Sequence, residues 1–175
     1  MKLETEAVLL RRDAGSRSAL LCVGLAIAAI LLLYRDTALS MVAIWRSSDT
    51  YAHGFLIVPI SLYLIWRYGP DLTKLRAAPD ALGFLLLGAA GLVWLTATAA
   101  QVQVLQQYAM TAMVPAAALA ILGRRVAWSM AFPLLFLLLA VPFGEAFLPY
   151  LMSWTADFTV AALRLTGIPV YREGT

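Results

Sequence analysis

Residues 81–100 read ALGFLLLGAAGLVWLTATAA, and beyond Gln101 residues 102–122 read VQVLQQYAMTAMVPAAALAIL; neither run contains a charged side chain. A helix rises about 1.5 Å per residue, so about 20 residues cross a hydrocarbon layer roughly 30 Å thick. Lipid offers the backbone no hydrogen-bond partners, which leaves helix as the conformation for each run. The pair predicts two membrane-crossing helices joined by a short turn, and with them an all-α fold, a polytopic transmembrane helix bundle.

Working outward, further apolar blocks occupy 19–34, 51–66 and 126–141, with Pro59, Pro115 and Pro133 interior to the predicted spans. Interior prolines are tolerated in transmembrane helices and mark kinks. A sixth segment, 147–165, is interrupted by Ser153, Thr155, Asp157, Thr159 and Arg164. It either spans or lies amphipathically in the interface, and Gly167-Ile168-Pro169 follows as a helix stop. The reading is five spans plus this segment, in a single membrane domain over 1–175.

Composition agrees. The chain is 62% hydrophobic and 13% charged, with a mean hydropathy of +0.83, against about half and a quarter in soluble domains. The net charge of +3 does not point to nucleic acid, because the basic residues sit in short loops beside apolar blocks, as topology signals do. Membrane lipid is the implied surroundings. The sole cysteine, Cys22, lies inside the first block and reads as a small core or lipid-facing residue. Arg11, Arg12 and Arg17 precede that block, but no small-residue cleavage site follows, so the N-terminus reads as an uncleaved anchor.

The loops predict orientation. Lys2, Arg11, Arg12, Arg17, Arg67, Lys74, Arg76, Arg124 and Arg125 fall on one side of the first five spans, and only Arg35 and Arg46 on the other. Basic residues concentrate on the cytoplasmic side, so the N-terminus is expected inside. Trp45 and Trp66 bracket the second span as interfacial aromatics.

With that topology the varied polar groups face outward: Asp49, Tyr51, His53, Gln101, Gln103, Gln106, Gln107, Glu145 and Asp157. The plain reading is solvated loop ends. His53 is the only histidine, in Tyr51-Ala52-His53-Gly54 at the outer start of the second span. Imidazole titrates near neutrality and serves as acid, base or ligand, or merely anchors a helix end. No second histidine or nearby cysteine completes a metal site, and no nucleophile–base motif or phosphate-cradling glycine loop is present; no metal or cofactor is expected. Gln103 and Gln107, four residues apart, share a helix face. Together with Glu145 they are expected to need partners from later helices, since polar groups at membrane depth more often join helices than do chemistry.

The stretch from Trp45 through Tyr51-Ala52-His53-Gly54 to Pro59, followed by Ser61–Trp66, resembles the exosortase family, most closely its exosortase A branch. Val141-Pro142 and the run Leu163–Val170 before Arg172-Glu173-Gly174 are similar too. The resemblance implies a multi-pass bacterial inner-membrane protein linked to exopolysaccharide production. It implies a cysteine protease or transpeptidase that removes a C-terminal sorting signal: a Pro-Glu-Pro motif, a transmembrane helix and a basic tail. That sorting-signal helix is the implied partner. The family's catalytic cysteine follows the Gly-Ile-Pro region, and its arginine and histidine lie in later helices. Cys22 and His53 match neither position, so no catalytic residue is assigned in this chain. Tyr51, His53 and Gly54 are expected to bind substrate or support the site. The chain is expected to be the N-terminal part of an exosortase, inactive alone and partnered by a complementary C-terminal fragment. The alternative is a small non-enzymatic membrane scaffold or transport subunit.

Overall fold

The computed structural model describes residues 2–68, 78–144 and 148–166, and among them every regular element is helical. They form α1 (Lys2–Leu33), α2 (Arg35–Ser47), α3 (Gly54–Tyr68), α4 (Ala81–Ala99), α5 (Gln103–Leu122), α6 (Arg124–Ser129), α7 (Ala131–Phe136) and α8 (Leu148–Leu165), with 3-10 turns at Asp49–Tyr51 and Leu137–Ala140. Two compact units result, 1–142 and 143–175.

In the first unit α5 is the axis. It packs most extensively on α4, and also on α1, α2, α6 and α7. Small residues let the α4–α5 hairpin close: Ala116, Ala117, Ala118 and Ala120 are buried on α5. A methyl on Gly83 of α4 would fall on the backbone of Ala120 and within 2.7 Å of the Leu119 carbonyl carbon. Close approach through small residues is how helices gain packing where lipid supplies no hydrophobic drive. At one end of the hairpin Ala78 N–H donates to Leu122 O and Asp80 N–H to Ala120 O. Asp80 caps α4 by accepting from Leu82 N–H at 2.9 Å and pairs with Arg124 at 3.2 Å. The other end is a tight turn through Gln101, whose φ of 57° is left-handed.

Two apolar clusters mark the two ends. Near Asp80 lie Ala118, Leu122, Val126, Met130 and Leu134 with Ala19, Val23 and Ile65. Toward the α4–α5 turn lie Ile30, Met41, Ile57, Met110, Met113, Ala117, Ala140 and Val141. Segments 19–34 and 126–141 run from the cluster near Asp80 to the other, and 54–66 and 103–122 run back; with α4, antiparallel to α5, between them, successive passes alternate in direction.

Fewer of these passes are long helices than the hydropathy suggests. Among the described residues α4 and α5 are long and apolar enough to cross a membrane, and α1 with α2 makes a third if that pair, bent by 80°, is one span. Segment 126–141 is broken into α6, α7 and a 3-10 turn. Pro133 has no N–H to give and its ring crowds the carbonyl four residues back, at Ser129, where α6 stops. Pro59 and Pro115 stay inside continuous helices. α1 extends far ahead of residue 19 because the preceding residues are good helix formers with no proline. Segment 35–47, expected to be a loop, is α2; it turns away from α1 at Tyr34 and buries Thr37 and Met41.

Broad apolar faces remain uncovered: Leu85, Leu92 and Leu95 on α4, and Leu56, Leu62 and Trp66 on α3. Patches this large on a protein surface call for a nonaqueous neighbour, which lipid supplies.

The second unit is built on α8. Its Thr155 and Thr159 hydroxyls donate to the helix's own carbonyls at Leu151 and Thr155, at 2.7 and 2.8 Å. Tyr150, Leu151, Trp154 and Phe158 are exposed.

Candidate functional site

Tyr51, His53 and Gly54 fall in one corner, where the chain leaves α2 and enters α3. Ser48 is extended, with φ −129° and ψ 118°, which ends α2. The 3-10 turn Asp49–Tyr51 reverses the chain, and the His53 carbonyl then starts α3 by accepting from Leu56 N–H at 2.9 Å and Ile57 N–H at 3.2 Å.

The three side chains have different surroundings. Tyr51 is buried and His53 exposed, with ring centroids 6.4 Å apart. Gly54 is buried because it lies under the indole of Trp45; an added methyl would come within 2.7 Å of Cδ1 and closer still to Nε1 and Cε2. That indole is fixed from two sides. Its Nε1–H donates to the Ala140 carbonyl at 2.8 Å, and Phe55 packs edge-on at 5.3 Å. The corner is thereby tied to the end of the 3-10 turn, immediately before Val141-Pro142. Trp66 is 80% exposed, whereas Trp45 is half-buried and joins two distant segments. Its role was missed because the partner is a backbone carbonyl 95 residues away, which leaves no trace in local sequence.

His53 has a defined tautomer. Nδ1 lies 2.9 Å from the Thr50 carbonyl oxygen. A carbonyl can only accept, so the neutral ring carries its proton on Nδ1 and keeps the lone pair on Nε2. The Nε2 of this exposed histidine is thereby left as a hydrogen-bond acceptor.

A second polar group lies at the same end of the bundle, between α2, α4 and α5. Gln107 is fully buried and donates from Nε2 to Ser40 Oγ at 3.0 Å. Ser40 donates to the Thr37 carbonyl at 2.7 Å, and Trp94 Nε1–H to Thr37 Oγ1 at 3.1 Å. Thr111 donates to the Gln107 carbonyl at 2.8 Å. Gln107 therefore finds its partner on an earlier helix, and the expectation that later helices must supply it does not hold for its Nε2. Gln103, expected on the same face, is exposed. Asp49 and Gln101 are exposed too; Gln106 is half-buried. Glu145 and Arg172 lie outside the described residues. Among the described residues no group of three or more His, Cys, Asp or Glu could hold a metal ion.

Residues 45–175 match the family model described as transmembrane exosortase (Exosortase_EpsH). The chain belongs to that family. No curated protein and no solved structure matches it. The matched region of this exosortase-family chain contains the whole Trp45–Gly54 corner, its anchor at Ala140, and Gln107.

Proposed function

We propose that this chain contributes the membrane-embedded substrate site of an enzyme that processes C-terminal sorting signals of exported proteins, linked to exopolysaccharide production. The chemistry is thiol-based proteolysis or transpeptidation, carried out at the outer face of a bacterial inner membrane with the N-terminus in the cytoplasm. The observation that carries the reading is the match to the transmembrane exosortase family, which takes in a corner presenting one exposed, tautomer-fixed imidazole.

Attack on a peptide carbonyl needs a thiolate, a base and a donor for the oxyanion. Cys22, the sole cysteine of these 175 residues, is exposed on α1, within the chain's first apolar stretch. No Lys, Arg or His is adjacent to it in sequence. The attacking thiolate is therefore not assigned to Cys22, and no catalytic residue is assigned among these residues. His53 contributes by accepting a substrate N–H at Nε2, or by holding the catalytic groups that meet it, while Tyr51 and Gly54 shape the corner that aims it.

The test measures processing of a sorting-signal substrate by the intact enzyme that contains this corner. Replacing His53 by Ala is expected to reduce processing of a sorting-signal substrate at unchanged protein abundance. Replacing it by Asn, whose shorter amide still offers an acceptor, is expected to retain part of the activity. Normal processing by both variants at normal abundance overturns the role given to His53. An intact wild-type enzyme that leaves the sorting signal uncut overturns the function.

A further inference from the structure

We infer that Trp45 is a positioning residue for His53: its indole clasps the two ends of the turn between α2 and α3, and the shape of that turn decides which imidazole nitrogen is left as the acceptor. The use of that acceptor in the reaction rests on the function proposed above; the positioning does not.

His53 is exposed, and the bond that orients its ring runs from Nδ1 to the Thr50 carbonyl at 2.9 Å. Water reaches the rest of the ring, and in water the neutral imidazole of histidine prefers its proton on Nε2. The Nδ1–H form is therefore held against the solvent's preference by a carbonyl three residues back. It persists only while residues 50 and 53 keep their relation. The turn that contains them has backbone bonds at the long end of the usual range: Tyr51 N–H to Ser48 O at 3.1 Å and Phe55 N–H to Ala52 O at 3.2 Å.

Trp45 precedes this turn and Gly54 follows it. A methyl on Gly54 would fall among the Nε1, Cε2 and Cδ1 atoms of the indole, so ring and glycine backbone are in direct contact across the turn. Phe55 closes on the same indole edge-on, with ring centroids 5.3 Å apart. The Nε1–H bond to the Ala140 carbonyl at 2.8 Å fixes the indole from a third segment, and Ala140 is buried. The last turn of α2, the first residue of α3 and the end of segment 126–141 thus meet on one side chain, and His53 is the residue immediately before the point of contact. An indole suits the place: it is a flat ring wide enough to cover a glycine, with one donor at its edge. Phenylalanine supplies a ring without the donor, which separates the two contributions.

The chain has a single histidine, so labelling histidine with the heavy nitrogen isotope, with no histidine tag present, yields one pair of ring-nitrogen resonances. They are recorded by solid-state NMR on the full chain in lipid bilayers at alkaline pH, where imidazole is neutral and its protonated and bare nitrogens have well-separated shifts. The wild type is expected to carry its proton on Nδ1. Trp45→Ala is expected to lower the ratio of the Nδ1–H to the Nε2–H form about fivefold, the weight of one neutral hydrogen bond. Trp45→Phe, which keeps a ring over Gly54 and loses the bond to Ala140, lowers it by less, and Gly54→Ala, which displaces the indole, lowers it as Trp45→Ala does. Gly83→Val, which disturbs the α4–α5 packing instead, leaves the ratio unchanged. A wild type protonated on Nε2 overturns the inference. So does the wild-type ratio in both Trp45→Phe and Gly54→Ala, which carry the test if Trp45→Ala does not fold. An equal shift in Gly83→Val traces the effect to general loosening and overturns it too. Processing of a sorting-signal substrate by the intact enzyme is the separate arm: Trp45→Phe is expected to lower it at unchanged abundance. A shifted tautomer with normal processing upholds the clasp and overturns the use of His53 proposed above.

Discussion

Gly54→Ala is the sharpest test of the corner. The new methyl occupies the space of the Trp45 indole, so the ring must leave the position in which it donates to Ala140 O and packs on Phe55. Ala140 is 4% exposed, and leaving a buried carbonyl unpaired costs about 1–3 kcal/mol. The edge-on aromatic contact adds about 0.5–1.5 kcal/mol. Alanine recovers up to about 1 kcal/mol in helix propensity, less at the first helical position. The net expectation is a loss of about 2 kcal/mol, read from reversible unfolding in mixed detergent micelles followed by circular dichroism. The mechanism makes a second demand through a double-mutant cycle. In a Trp45→Ala background there is no indole to displace, so Gly54→Ala becomes neutral or mildly stabilising. A wild-type-like Gly54→Ala, or the same cost in both backgrounds, refutes the clamp.

Gly83→Val places a side chain against the backbone of Ala120 and Leu119, which cannot yield as a rotamer would; a cost of about 1–3 kcal/mol is expected in the same unfolding assay, with Gly88→Val, where nothing lies within 4 Å, close to neutral. Asp80→Ala removes the α4 cap and should cost about 1 kcal/mol. Arg124→Ala should cost little, because its side chain is 70% exposed and exposed pairs contribute about 0–1 kcal/mol. A reporter active only outside the cytoplasm should work when fused after Ala100 or Phe143 and stay silent after Trp66 or Gly123; activity after Gly123 breaks the orientation.

What the sequence disclosed follows from the range of the interactions concerned. The α4–α5 hairpin was legible because crossing lipid is a demand on every residue of a run, and α4 and α5 form within a residue or two of the expected limits. The alternation of the passes was legible for the same reason. The break in segment 126–141 was hidden because the proline signal is ambiguous: three interior prolines look alike in sequence. Only Pro133, preceded by Met130 at φ −111° and ψ 17°, coincides with a broken helix. α2 was hidden because its apolar and polar residues alternate too evenly for a hydropathy window, and its fold depends on Thr37 and Ser40 finding Trp94 and Gln107, at separations of 57 and 67 residues. The site divides in the same way. Tyr51, His53 and Gly54 could be grouped from the sequence because they are close neighbours in the chain. The group that holds them, Trp45 on Ala140, joins positions that only the fold brings together. Gln107 was noticed as one of a pair with Gln103, and helical spacing gave the two equal standing. Packing then separated them, leaving Gln103 exposed and Gln107 fully enclosed.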